Sequence, residues 1–97
     1  MLFQLNYSTS SIGYVKVILL DEAGNELPGF RDPDAAEICG DLIDAAIKWK
    51  SGRNIKELVN KTVRIKFVLR DADIYSFGIF LRHLSYTLSI HPILTEN

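Results

Sequence analysis

Cysteine is nearly missing from this chain. Cys39 is the only one among 97 residues, so no disulfide can form within it. The fold has to do without one, and the redox compartment stays open. Neither sign of charge dominates: eleven Lys and Arg stand against twelve Asp and Glu, a net charge of -1. No global field exists to hold nucleic acid or an anionic membrane, and neither is expected as a partner. No apolar run approaches the roughly 18 residues of a membrane span. Residues 1–11, MLFQLNYSTSS, lack the basic start and apolar stretch of a secretory signal, so none is expected. Repeats, low-complexity tracts and linkers are absent too. What remains is 47% hydrophobic content, which excludes general disorder. One domain spanning residues 1–97 is the expectation.

What is there is alternation. In residues 62–80, Val63, Ile65, Phe67 and Leu69 alternate with Arg64, Lys66 and Arg70, and only Val68 breaks the polar side. Strand side chains point to opposite faces with a period of two, so this reads as one oily and one solvated face. Asp71-Ala72-Asp73 has turn chemistry, and residues 74–80 read as a second strand returning antiparallel to the first. Residues 2–8 carry Phe3, Leu5 and Tyr7 on one face. Residues 9–13 read as a polar turn. Residues 14–20 form another strand, with Val15, Val17 and Leu19 on one side and Ile18 and Leu20 on the other, so both faces are partly covered. Asp21 to Asn25 is a turn in which Gly24 supplies a positive φ. Residues 84–90 alternate as a sixth strand, stopped by Pro92.

Residues 32–50 fit two patterns. As a helix, Asp34 would cap it with Glu37 three residues on, but Gly40 would weaken it by about 1 kcal/mol. As a strand, Ile43, Ala45, Ile47 and Trp49 alternate with Asp44, Ala46, Lys48 and Lys50. The reading is a helical turn or loop to about Gly40, then a strand over residues 43–49. Asn54 and Glu57 repeat the capping spacing, which predicts a short helical turn over residues 55–59.

Several segments, taken in order, carry a resemblance. LNYSTSSIG at residues 5–13, then VKVILLDEAGNELPGF, Gly40-Asp41, IKWK and ELVNKTVRIKFVLRDADIYSF resemble the C-terminal β-sandwich of bacterial sialidase-like and β-fructosidase-like propeller hydrolases. The resemblance covers about residues 2–80 and leaves 81–97 unmatched. It implies an all-β, mainly antiparallel, jelly-roll or concanavalin-like sandwich of about six strands with one or two short helical turns. It also implies a truncated accessory module: the strands that precede Leu5 in the family, and the propeller with its catalytic acids, are absent from this chain. Asn60 stands where the family tends to have glycine.

Candidate sites are few. Asp32, Asp34 and Asp41 belong to the densest acidic stretch and could offer oxygens to Ca²⁺, although capping and turn roles account for them as well. Tyr75, Phe77 and Trp49 are aromatic surfaces a sugar ring could stack on, with core packing the simpler role for Trp49. Tyr75 and Phe77 share a face if the strand alternates regularly. Leu84, Tyr86, Leu88 and Ile90 are the expected interface, because a truncated sheet exposes an edge that invites pairing. His83, His91 and Cys39 are too few and too scattered for zinc, and Cys39 reads as a buried, inert thiol. The expected function is non-catalytic: an accessory or interaction module working through self-association as a homo-oligomer, or through protein contact. A lectin-like glycan binder is the alternative.

Overall fold

The computed structural model describes residues 2–58, 61–80 and 89–96, with residues 2, 80 and 89–96 defined by backbone alone. Among these residues four strands form one sheet: β1 (Leu2–Leu20), β2 (Asp41–Ala46), β3 (Thr62–Phe80) and β4 (Ser89–Glu96), in the order β2-β1-β3-β4. The β1–β2 and β1–β3 pairs are antiparallel and the β3–β4 pair is parallel. The chain is all-β and mainly antiparallel. Two short 3₁₀ turns, Asp32–Asp34 and Ile55–Leu58, complete the described elements.

Of the six expected segments, four fuse in pairs into β1 and β3, and the last, residues 84–90, lies outside the described residues except for Ser89 and Ile90, which begin β4. Residues 9–13 and Asp71-Ala72-Asp73 do not reverse the chain; β1 and β3 each run through them for 19 residues. At about 3.3 Å per residue a straight strand of that length would span roughly 60 Å, yet the longest dimension of the molecule is 39 Å. Phe3 pairs with Ile79 at one end of the β1–β3 ribbon and Phe67 with Val17 near the other. Their rings nevertheless lie 6.3 Å apart. The ribbon is therefore creased across its middle, and its two halves face each other over the core.

The crease has identifiable causes. Between the pairs Thr9–Ala72 and Tyr14–Arg70, β1 inserts Ser10 to Gly13 where β3 has only Asp71. Extra residues in one strand bend it and sharpen its twist. Asp71 takes a φ of +47°, a region aspartate enters more readily than most side chains. Gly13 is required by space: a Cβ there would lie 2.4 Å from the Arg70 carbonyl oxygen and 2.5 Å from that of Asp71. Turn-forming residues thus make a corner instead of a loop.

Alternation then fills the space between the halves. Leu5, Val15, Leu19 and Ile65 are wholly buried, and Val63 and Phe67 very nearly so. Each such side chain contributes about 1.5–3 kcal/mol on leaving water. Phe3 stacks on Phe77 at 5.9 Å and meets Trp49 edge-on at 6.2 Å. Phe30 meets Trp49 edge-on as well, at 5.0 Å. Ile18 and Leu20 are buried on the opposite face of β1, as their pattern predicts.

Along its other edge β1 is bonded by an interrupted strand. Leu27 N–H donates to the Leu19 carbonyl at 2.9 Å, and Ile38 exchanges bonds with Val15 at 2.8 and 2.9 Å. Thr9 N–H then donates to the Gly40 carbonyl at 2.8 Å, just before β2 begins. The interruptions are turns with ordinary chemistry. Gly24, at φ +93°, sits in the Asp21–Asn25 turn, where the Asn25 N–H donates to Asp21 Oδ1 at 2.9 Å. This bond, with others from the same turn, holds the Asp21 carboxyl below its ordinary value. Gly29, at φ +85°, follows Pro28, and the Phe30 N–H donates to the Leu27 carbonyl at 2.9 Å. That is the residue order a type II turn wants.

Boundaries differ from expectation in three places. The strand expected over residues 43–49 is Asp41–Ala46, and Trp49 follows it in an isolated bridge to Ala35. The cap of the first 3₁₀ turn is Arg31, whose N–H donates to Asp34 Oδ2 at 3.2 Å, so Asp34 closes the turn instead of opening it. Pro92 does not stop a strand: it lies inside β4, opposite Ile65. β4 is an end strand, where a missing N–H is tolerated.

Candidate functional site

The sheet is least regular at the level of Asn6. Leu5 and Tyr7 pair with Ala45 and Leu42, so β2 places both Ile43 and Asp44 opposite Asn6. Across the other edge of β1, Asn6 pairs with Ser76 and Tyr7 with Ile74, which leaves Tyr75 as an extra residue in β3. Both neighbours of β1 are thus bulged at one level. Bulges re-aim side chains and interrupt alternation. The result here is two large exposed side chains flanking Asn6, with Ile43 79% and Tyr75 63% accessible.

Beside this double bulge is a shallow hollow of about 150 Å³, lined by Gln4, Asn6, Ile43, Ser76, Phe77 and Gly78. Its depth has a simple origin. Gly78 pairs with Gln4 and offers no side chain, and a glycine within a strand often marks a place where something else approaches closely. The Gln4 and Asn6 amides and the Ser76 hydroxyl make no hydrogen bond among the described residues. Among the described residues no charged side chain lines the hollow.

The expected site residues fall in different places. Tyr75 is exposed, but it does not share a face with Phe77, because the bulge shifts the alternation between them. Phe77 pairs with Leu5, stacks on Phe3 and is half-buried where it lines the hollow. Trp49 is 5% accessible, and its Nε1–H donates to the Val17 carbonyl at 2.9 Å, so neither ring face is open to a sugar. Sequence reasoning missed Gln4, Asn6, Ser76 and Gly78. Their only signal was small or neutral polar residues at alternate positions where the other half of the ribbon carries Arg64 and Lys66.

The three aspartates do not converge. Asp32 Oδ1 accepts from Lys16 Nζ at 2.5 Å, Asp34 closes the 3₁₀ turn, and Asp41 pairs with Ser8 at the start of β2. Among the described residues no three metal-ligating side chains gather. Asp32 and Glu37 do line one open depression with Lys16 and Lys50. Both carboxylates are exposed, whereas a proton-donating carboxylic acid needs an apolar seat.

Of the expected interface, Leu84, Tyr86 and Leu88 lie outside the described residues, as does His83. The Ile90 backbone belongs to β4 and pairs with Val63 of the same chain. His91 pairs with Arg64. Cys39 is exposed, not buried. Its carbonyl accepts the Tyr7 hydroxyl at 3.0 Å. Burial pushes that hydroxyl above its ordinary value, and the Cys39 thiol adds to the rise.

β2 offers a second feature. It ends the sheet order, so one side of its backbone meets no other strand among the described residues. Leu42 is 49% accessible beside Ile43, and Asp41 and Asp44 are exposed on the same six-residue strand. No family model, curated protein or solved structure matches this chain.

Proposed function

We propose that the chain is a non-catalytic interaction module that acts through protein contact. In this reading it is a β-sandwich of jelly-roll type, related to the C-terminal domains of propeller glycoside hydrolases. The creased ribbon supports a two-layer reading of the fold. The ordered segments from Leu5 to Phe77 support the kinship.

The observation that carries the function is the open edge of β2 with Leu42 and Ile43 exposed on it. An unpaired strand edge is a template for another strand, and side chains beside it set the specificity. Asp41 and Asp44 select the partner. Self-pairing would gather aspartates from two copies along one seam, and like charges across a sheet destabilise it. An extended segment alternating Lys or Arg with apolar residues complements the edge instead.

Titrating such a peptide into labelled protein should shift the backbone amides of Asp41–Ala46 in a saturable way. Leu42→Lys should abolish the effect while the fold survives, since Leu42 is half exposed. Equal binding by the acidic counterpart peptide would refute the reading. A concentration-dependent dimer broken by Leu42→Lys would replace the basic partner with a second copy.

A further inference from the structure

We propose that the cleft formed by residues 47–49 and 52–55 binds a carboxylate carried on a compact apolar group. The cleft holds about 160 Å³, and its two sides differ in chemistry. The buried side is apolar: Trp49 and Ile55 are 5% and 2% accessible, and Ile47 is half-buried. The exposed side is set with hydrogen-bond donors from Lys48, Arg53 and Asn54, and no carboxylate lines it among the described residues. Asn54 Oδ1 already accepts the Lys56 N–H at 2.9 Å, so its free group is the NH₂. The Lys48 ammonium has no partner among the described residues. Glu57 approaches Arg53 from outside the lining, 3.7 Å from Nε, and Nη1 donates to the Pro28 carbonyl at 3.4 Å. The Nη2 end of the guanidinium is left unpaired.

The donors are held in place before any ligand arrives. The Gly52 N–H donates to the Trp49 carbonyl at 3.0 Å, closing a turn in which Gly52 takes a φ of +80°. Ser51 Oγ ties this turn to the Gly29 carbonyl at 2.6 Å and accepts the Arg53 N–H at 3.2 Å. Gly29 makes room for the arginine stem, since a Cβ there would lie 2.9 Å from Arg53 Cγ. A fixed fork of donors beside a second cation suits a planar oxyanion. The apolar floor asks for more than a bare ion, because a hydrated phosphate would leave Trp49 and Ile55 uncovered. The volume limits the rest, being well below the roughly 300–1,000 Å³ of pockets that enclose drug-sized molecules. A branched or aromatic group of side-chain size fits. Two sources supply this chemistry: a free short-chain acid, or the C-terminus of a peptide ending in an apolar residue. The inference does not rest on pairing at β2, which ends at Ala46, before the lining begins.

The test is a titration of isotope-labelled protein with isobutyrate and benzoate, with isobutyramide and inorganic phosphate as comparison ligands. At least one acid should give saturable millimolar shifts in the Asn54 NH₂ and Arg53 Nε–H signals, with the Asp41–Ala46 backbone amides moving less. Isobutyramide, with the same apolar body and no charge, should bind at least about tenfold more weakly, the scale of a charged hydrogen bond. Lys48→Gln, at an exposed position, should weaken acid binding severalfold, and Arg53→Gln about tenfold. Arg70→Gln removes the same charge outside the lining and should leave binding unchanged. Thermal unfolding of each variant separates lost binding from lost fold. A peptide ending in Gly-Val with a free carboxylate, set against its amidated form, distinguishes the sources. Binding by the free-ended peptide assigns the site to a chain terminus, and binding by the small acids alone assigns it to a free acid. The proposal is overturned if neither acid nor free-ended peptide shifts those signals, if isobutyramide or phosphate binds as well as the acids, or if Lys48→Gln and Arg53→Gln both bind as wild type.

Discussion

Gly13→Ala isolates the corner of the ribbon. A methyl group at this position would sit 2.4 and 2.5 Å from two backbone carbonyl oxygens, far inside van der Waals contact. Because those atoms belong to the facing strand, no side-chain rotation relieves the clash. The strands must separate, or the crease must open. Inserting a methylene-sized group into a packed site costs about 1–3 kcal/mol. Unfolding entropy near 2.1 cal/mol/K per residue makes each kcal/mol about 5 °C for a domain of this size. Thermal unfolding followed by circular dichroism should therefore show a Tm lower by about 5–15 °C. Ser11→Ala, an exposed position on the same bulge, is the control and should stay within about 0.5 kcal/mol. A Gly13→Ala protein melting with the wild type would mean that the two backbones do not approach as described, and the crease would lose its cause.

Three other outcomes follow from the same contacts. Trp49→Phe removes the N–H that satisfies the Val17 carbonyl and leaves a gap between Phe3 and Phe30; denaturant titration should show a loss of about 2–4 kcal/mol. Asp21 has a folded pKa lowered chiefly by the Asn25 N–H, so the stability it adds is complete above its ordinary value of 3.8 and is lost as pH falls through the lowered one. Asp21→Asn should flatten that acid limb of the stability profile, and an unchanged limb would refute the assignment. The Lys16–Asp32 pair joins a mostly buried side chain to one 55% accessible, so Asp32→Asn should cost no more than about 1 kcal/mol, and less in high salt.

Which side chains form the core was legible in the alternation. Val63, Ile65, Phe67, Val15 and Leu19 are buried because a period of two puts the apolar residues of each strand on one face, turned to the core. Turn chemistry at residues 9–13 and 71–73 was legible too, but its outcome was not. The same residues that close a hairpin also crease a strand, and local propensity does not say which. That depends on whether the facing strand bends at the same level, which is a contact between residues some 60 apart in sequence. The candidate site suffered similarly. Alternation placed Tyr75 with Phe77, and only the pairing with Asn6 reveals that Tyr75 is the extra residue. Cys39 was misjudged because apolar neighbours in sequence do not enclose it: Ile38 packs partly against the core while Cys39 and Leu42 are exposed.

The creased ribbon also dictates an order of assembly. From Phe80 to Ser89 the chain has nine steps, a reach of about 32 Å at full stretch, and Ser89 lies beside Thr62 at the start of β3. An uncreased β3 would hold Phe80 roughly 60 Å from that point. β4 can dock only once β3 has buckled, so it is a latch that closes after the crease. Whatever loosens the corner should release this strand before the rest of the sheet gives way.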